Sequence, residues 1–489
     1  MKSIFGKFAF IFIILLLIAS ITVIPACTHI DSTRIPDHEE GITLAEPDKH
    51  ENNHEENESN NEPQEMLEPD APDEPDELDE PQVLFRILSP YENINWETIG
   101  QYRASHHVHT TFSDGSNTLR DMLIDLYNKN YDIVAIADHN TTTRAWNTHP
   151  DIVYEISLVN ENALLSSEEL ADINNGAYNA SDFPGSYTGR RTQANGMISM
   201  GISNEITAGM GYQPGIYEGH HINSFFANVP NYSGFGMTMA EVIEYVQDLG
   251  GITHLNHPGR YTGMQSYESL TPELILTIDR YVQLFLDYPS LAGIEIMSRW
   301  DSESINDRIF WDYILMETMP QERPVWGFSN DDAHSLSANG HAWNVMLMAT
   351  FDKNAFRTSM ETGAFYGVSR IDRQRGVNAF LPDGEKTPYA PSQTSSNSQY
   401  TGGRHNSIAL QFLSEETPVI SSIEIIGDTI TISGTGFNKI VWIADRKIVH
   451  TGDSIDISKI YGINSYVRAE LIGSFGVAYT QPFGIEKRG

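Results

Sequence analysis

The stretch Leu119-Arg120-Asp121-Met122-Leu123-Ile124-Asp125-Leu126-Tyr127-Asn128-Lys129-Asn130-Tyr131-Asp132-Ile133-Val134-Ala135-Ile136-Ala137 changes its period halfway along. Leu119, Met122, Leu123, Leu126 and Tyr127 recur at helical spacing after Ser116 and Asn117, giving one apolar stripe on a helix. From Asp132 to Ala137 the run becomes continuous and reads as a buried strand. The alternation returns downstream. Thr238 caps an expected helix over 239–249 before a strand over 251–255, a helix over 272–286 precedes a strand over 293–297, and a helix over 303–316 precedes a strand over 324–328. Alternating elements imply an α/β fold with a parallel sheet, and this many units imply a barrel. Residues 141–195, rich in Asn, Gly, Ser and Thr, break the rhythm as an insertion near the mouth of the site, where they would set selectivity. After about residue 400 the helical period gives way to short strands over 421–425, 429–433, 439–443 and 466–472, expected to form a small antiparallel β-sandwich over 401–489.

The 489 residues contain 66 Asp and Glu against 30 Lys and Arg, a formal charge of -36, and the length calls for more than one domain. The acidity is uneven. Residues 28–82 hold 20 acidic and two basic residues, a charge of -18, and with the +2 of Lys2 and Lys7 on residues 1–27 this leaves -20 on residues 83–489. Charge repulsion, frequent proline and few apolar residues make an extended, disordered tether of this acidic stretch, bounded at 28–90. Its His38, His50 and His54 read as solvated. Even the remainder is acidic, so a nucleic-acid duplex, which needs many Lys and Arg contacts to phosphate, is not an expected partner. A single cysteine excludes an intrachain disulfide framework.

At the start of the chain, Lys2 and Lys7 precede an apolar run over 8–21, and the segment ends Val23-Ile24-Pro25-Ala26-Cys27. This is the pattern of an export signal. It resembles a bacterial lipoprotein signal over 1–27, which implies a lipidated Cys27 that anchors the chain at the outer face of the cytoplasmic membrane or the cell surface.

Eleven of the 17 histidines fall between His106 and His341, most of them at expected strand ends. Residues i and i+2 of a strand share a face, so His107 and His109 can aim two imidazoles at one point. The chemistry-bearing segments are His107-Val108-His109-Thr110-Thr111-Phe112-Ser113-Asp114-Gly115, Ala137-Asp138-His139-Asn140, Ser203-Asn204-Glu205, Gly219-His220-His221, Asn256-His257-Pro258 and Asp331-Asp332-Ala333-His334. Each is read as lying just beyond an apolar strand, at the carboxyl face where barrel active sites assemble.

In their order these segments resemble the PHP (polymerase and histidinol phosphatase) metallohydrolases across roughly residues 100–370, and with the C-terminal strands they are similar to the CehA/McbA-like branch. The resemblance implies a distorted seven-stranded β/α barrel over 91–400 with up to three divalent ions. It implies one ion on His107, His109, Glu205 and Asp332, and a second on Asp114, His139 and His334. A third would be bridged by Glu205 to His221 and His257, with His220 competing with His221. Mixed imidazole and carboxylate ligands suit two or three Zn, Mn or Fe ions. Two ions about 3.5–4 Å apart can activate a water for attack and clamp the oxygens of an in-line displacement. Three dications with Asp114, Glu205 and Asp332 ionised would make a cationic pocket inside an acidic protein, suited to a small anionic substrate.

Other residues take plainer readings. His106, His254 and His341 are expected to be structural, and His149, His405 and His450 to lie at the surface. Asp138 and Asp331 are expected to hydrogen-bond behind ligands. Arg260 and Arg299 are candidates for substrate oxygens, with surface ion pairing as the alternative. The expected function is a metal-dependent hydrolase of small phosphate esters, in which metal-bound hydroxide attacks phosphorus and Asp332 and Glu205 act as catalytic carboxylates. The alternatives are a carboxylester, carbamate or amide hydrolase on the same ligands and, from a different class, a cell-surface binding protein.

Overall fold

A computed structural model describes residues 84–144, 146–147, 164–178, 196–209, 220–231, 234, 236–262, 270–298, 304–370, 416–474 and 476–488. The chain divides into two compact units, Met1–Asp76 and Glu77–Gly489, and all the described residues belong to the second. The export signal with Cys27, nearly all of the tether, Arg299, His149, His405 and most of the 141–195 insertion lie outside the described residues.

The described residues of the second unit form a mixed α/β fold with sheets of eleven, five and three strands. Its helices start where local chemistry provides a cap. Thr118 accepts from Asp121 N ahead of Leu119–Asn128, Thr271 accepts from Leu274 N ahead of Pro272–Asp287, and Thr238 with Glu241 closes a capping box ahead of Met239–Asp248. Within the insertion, Ser166 and Glu169 make a second capping box for Ser167–Asn174. Expected strands over 251–255, 293–297 and 324–328 appear as Ile252–Leu255, Leu291–Met297 and Trp326–Ser329.

In the five-stranded sheet Ile252–Leu255, Leu291–Met297 and Trp326–Ser329 are parallel. His220–Phe225 departs from the expected pattern: it runs antiparallel to both its neighbours, Ser203–Ala208 and Ile252–Leu255. Its direction is set by pairing with both neighbours, which the periodicity of a single segment does not encode. The parallel pairs among Gly100–Ser105, Ile133–Val134 and Ile198–Ser199 belong to the large sheet. Two isolated parallel bridges, Val108 with Ala333 and His139 with Glu205, join these strands to the five-stranded sheet beyond the ends of the regular ladders.

The C-terminal strands are antiparallel, as their pattern predicts, but they do not stand apart. Gly476–Tyr479 pairs with Phe365–Arg370, so Tyr466–Ile472, Gly476–Tyr479 and Phe483–Lys487 extend the sheet that also contains Gly100–Ser105. Every residue of Tyr466–Ile472 and Gly476–Tyr479 is buried, as in strands covered on both faces. Val419–Ile426, Thr429–Thr435 and Ser454–Asp456 form the separate three-stranded sheet, whose Ile420 and Ile430 share a core with Trp442 and Leu471. At the other end, the tether expected to reach residue 90 stops earlier. Phe85–Leu88 is already a strand, paired with Phe483–Lys487, because Phe85 and Ile87 supply the alternation that the acidic stretch lacks.

Candidate metal centre

The backbone bridges assemble the site. His109 N donates to Ala333 O (2.9 Å) and Ala333 N to His107 O (3.3 Å), which brings the His107/His109 segment against the Asp332/His334 segment. Val108 points into the core while the two histidines flanking it share the opposite face. A second link, Asn140 N to Glu205 O (2.6 Å) and Glu205 N to Asp138 O (3.2 Å), brings His139 to Glu205. In the reversed strand His221 lies opposite Thr207, whose face Glu205 shares, so the two side chains meet diagonally.

Glu205 is the hub. Its Oε2 lies 3.1 Å from His107 Nε2, 3.2 Å from His109 Nε2 and 3.3 Å from His139 Nδ1, and its Oε1 contacts His221 Nδ1. Asp332 Oδ1 faces the same histidines, 3.3 Å from His107 Nε2 and 3.1 Å from His109 Nε2. Asp114 Oδ2 lies 3.1 Å from His334 Nε2 and 3.5 Å from His139 Nε2. Among the described residues, three groups of side chains therefore converge closely enough to hold a cation: His107, His109 and Glu205; His109, Asp114, His139 and His334; and His139, Glu205 and His221. His257 stands beside them, its Nε2 4.0 Å from Asp332 Oδ2 and its ring 5.1 Å from that of His221. His220 turns away, with Nδ1 2.8 Å from Tyr281 Oη.

Hydrogen bonds outside the cluster fix which ring nitrogens face inward. His107 Nδ1 donates to Glu295 Oε1 (2.7 Å). Glu295 can only accept here, since its Oε1 also takes Asn330 Nδ2 (2.8 Å) and its Oε2 takes His257 N (3.0 Å). Ser113 Oγ donates to Asp138 Oδ1 (2.7 Å) and is therefore the acceptor for His109 Nδ1 at 3.4 Å. His334 Nδ1 donates to Asp332 O (2.9 Å). Three imidazoles are thus locked through Nδ1 and turn Nε2 toward carboxylates, the arrangement in which histidine binds a metal. Glu295 was not singled out in the sequence. The available signal was one carboxylate inside the buried apolar run Leu291-Ala292-Gly293-Ile294-Glu295-Ile296-Met297.

The electrostatics follow from this packing. Burial pushes the Glu205 carboxyl upward, but His221, His107 and His139 outweigh it and hold it well below the usual range. For Asp332 burial is likewise overcome by His107 and His109, and for Asp114 by His139 and His334. All three are held as anions. Burial lowers His109 and, more strongly, His257, whereas His107 is raised because Glu295, Asp332 and Glu205 outweigh its burial. His109 Nε2, His139 Nδ1 and Glu205 Oε1 are sealed from solvent without a hydrogen bond of normal geometry. Buried polar atoms of this kind require a partner, and the donor set of imidazole nitrogens and carboxylate oxygens fits divalent transition ions. His257 at φ 30°, Asp332 at φ 47° and Asn140 at φ 51° all adopt left-handed backbone at the site, a cost usually found where function fixes the geometry.

The plainer readings find their places. His106 is enclosed by Phe225, Phe328 and Phe356, and burial lowers it to about 3. His254 stacks on Phe328. Asp138 accepts from Thr110 N and Oγ1, and Asp331 accepts from Gly340 N and Ala342 N, so both brace ligand-bearing loops. His341 Nε2 meets Ser337 O, and His450 lies exposed on Lys447–Thr451. Arg260 is exposed on the short helix Gly259–Thr262, three residues beyond His257.

No family model matches the sequence, and no curated protein matches it. Among solved structures, the chain is similar to a two-domain protein from Bacteroides vulgatus containing a predicted PHP-like metal-dependent phosphoesterase. The identity is 11% over 80% of this chain and 96% of that one, with a TM-score of 0.34. It is similar to the lesion-specific endonuclease PfuEndoQ from Pyrococcus furiosus, at 14% identity over 54% of this chain and 56% of that one (TM-score 0.30). It is also similar to a putative metal-dependent phosphoesterase from Bifidobacterium adolescentis, at 16% identity over 47% of this chain and 87% of that one (TM-score 0.26).

Proposed function

We propose that the protein is a divalent-metal-dependent hydrolase of PHP type, CehA/McbA-like in its segment order, and a phosphoesterase acting on small phosphate esters. The observation that carries this reading is the set of three histidines locked through Nδ1 with Nε2 directed at Glu205, Asp332 and Asp114. The two bridges that link the five-stranded sheet to the strands bearing His107 and His139 support a distorted seven-stranded barrel. His107, His109, Glu205 and Asp332 would hold one ion, Asp114, His139 and His334 a second, and Glu205 with His221 and His257 a third. Zn, Mn or Fe ions bound there supply Lewis-acid charge and lower the pKa of a coordinated water.

The chain's own residues do the rest. Glu205 touches histidines of all the groups and holds them in register. Asp332 turns Oδ1 to His107 and His109 and Oδ2 toward His257, so Oδ2 is the atom assigned to hold a proton during turnover. Arg260 and Arg299 are assigned to the substrate anion, and Cys27 to lipid anchoring outside the cytoplasm. Purified protein should contain Zn, Mn or Fe and hydrolyse p-nitrophenyl phosphate, and His107→Ala and Asp332→Ala should lose both metal and turnover. Strong turnover of p-nitrophenyl acetate with none of the phosphate ester would replace this reading by the carboxylester one.

A further inference from the structure

The groups of the metal centre differ sharply in their access to water. The side chains of His107, His109 and Glu205 are 0% exposed and Asp332 only 1%, whereas Asp114 is 55% exposed, His139 23% and His334 22%. The supports differ as well. His107 is braced by Glu295, Glu205 sits inside Ser203–Ala208, and Asp332 adjoins the Val108–Ala333 bridge. Asp114 is carried on the Thr111–Asp114 turn, and its carboxylate bonds outward to His334 Nε2. His109 lies between the two sides: its Nε2 is directed at Glu205 and Asp332, while its Nδ1 lies 3.4 Å from Ser113 Oγ and 3.6 Å from Asp114 Oδ1.

We infer that the centre is built with unequal retention: the Asp114–His139–His334 group exchanges its ion with the surroundings, while the His107–His109–Glu205–Asp332 group keeps its own. The inference rests on the metal reading above. An ion in the enclosed group can leave only if buried ligands part and water enters behind them, which requires local opening of the strand ends. An ion at the open group can shed Asp114, a ligand already in contact with solvent, one bond at a time. Activity would then follow the free metal around the protein, with the enclosed ion as a permanent part of the fold.

The test is timed metal release. Metal-loaded full-length protein is dialysed against EDTA, and metal per chain is followed by elemental analysis. A fast phase is expected that is absent in Asp114→Asn, with the remaining slower release unchanged whether one or two ions contribute to it, and added metal should refill the fast site of the wild type first. Thermal unfolding of the variant at the wild-type temperature checks that its fold is intact. Bound metal leaving in one phase, or a slow phase lost along with the fast one in a folded Asp114→Asn, overturns the unequal-retention inference alone. A protein that takes up no metal overturns the metal reading as well.

Discussion

Glu295 fixes a proton rather than an ion. As long as its carboxylate accepts from His107 Nδ1, the tautomer with Nε2 open is the stable one. Glu295→Gln keeps the shape but weakens the acceptor, so metal affinity should fall by about 10–100-fold, measurable by competition with a chromogenic chelator. His254 carries a prediction about pH. Its burial, with His106 and His107 nearby, holds it well below its ordinary value of 6.5. Below that pH the unfolded chain takes up a proton that the folded one refuses, so stability is full above about 6.5 and declines as the pH falls. His254→Phe should flatten this acid limb in thermal unfolding between pH 7 and 5, and an unchanged limb would assign it to other groups. The His107-x-His109 pair was legible because alternation alone forces both rings to one side. Glu295 was not, because an acid in a buried run says that a partner exists without saying which.

At the scale of elements, helices were read closely because their caps and apolar stripes are local, as in Met239–Asp248 after Thr238. Pairing direction was not, because the reversal of His220–Phe225 depends on contacts with strands on either side. The reversal has a consequence for the site: His221 reaches it from the beginning of its strand, whereas His257 and Asp332 follow the ends of theirs. Adjacent histidines on a strand face opposite ways, which is why His221 meets Glu205 and His220 meets Tyr281. The turn carrying Asp114 depends on Gly115. A Cβ there would lie 2.7 Å from His109 C and Thr110 N, both backbone atoms. Gly115→Ala should therefore push the turn off the His109 strand and lower metal per chain at the Asp114 group, read by elemental analysis, with little change at the enclosed group.

Across the whole molecule, the C-terminal strands were legible as antiparallel but not as part of the sheet that supports the site, because the Phe365–Arg370 to Gly476–Tyr479 pairing joins segments far apart in the chain. A buried charge cluster also links the C-terminal strands to the Ser304–Thr318 helix. Arg468, fully buried on Tyr466–Ile472, donates Nε and Nη2 to Asp312 on the Ser304–Thr318 helix (2.8 and 2.9 Å) and Nη1 to Glu470 (2.8 Å). Removing one partner leaves a buried anion uncompensated, so Arg468→Met should lower stability by about 3–5 kcal/mol in urea unfolding. A loss within a few tenths of that for an exposed residue would mean that water reaches Asp312.

The pairing of Phe85–Leu88 with Phe483–Lys487 also sets an order of events during synthesis. Arg86 and Glu486, which form an ion pair across it, are 400 positions apart. A ribosome releases the early strand long before its partner is translated, so the early strand must wait, unpaired, until residues 483–487 emerge. A chain terminated before Phe483 would keep that strand bare and would be prone to pair with another nascent copy instead of with itself.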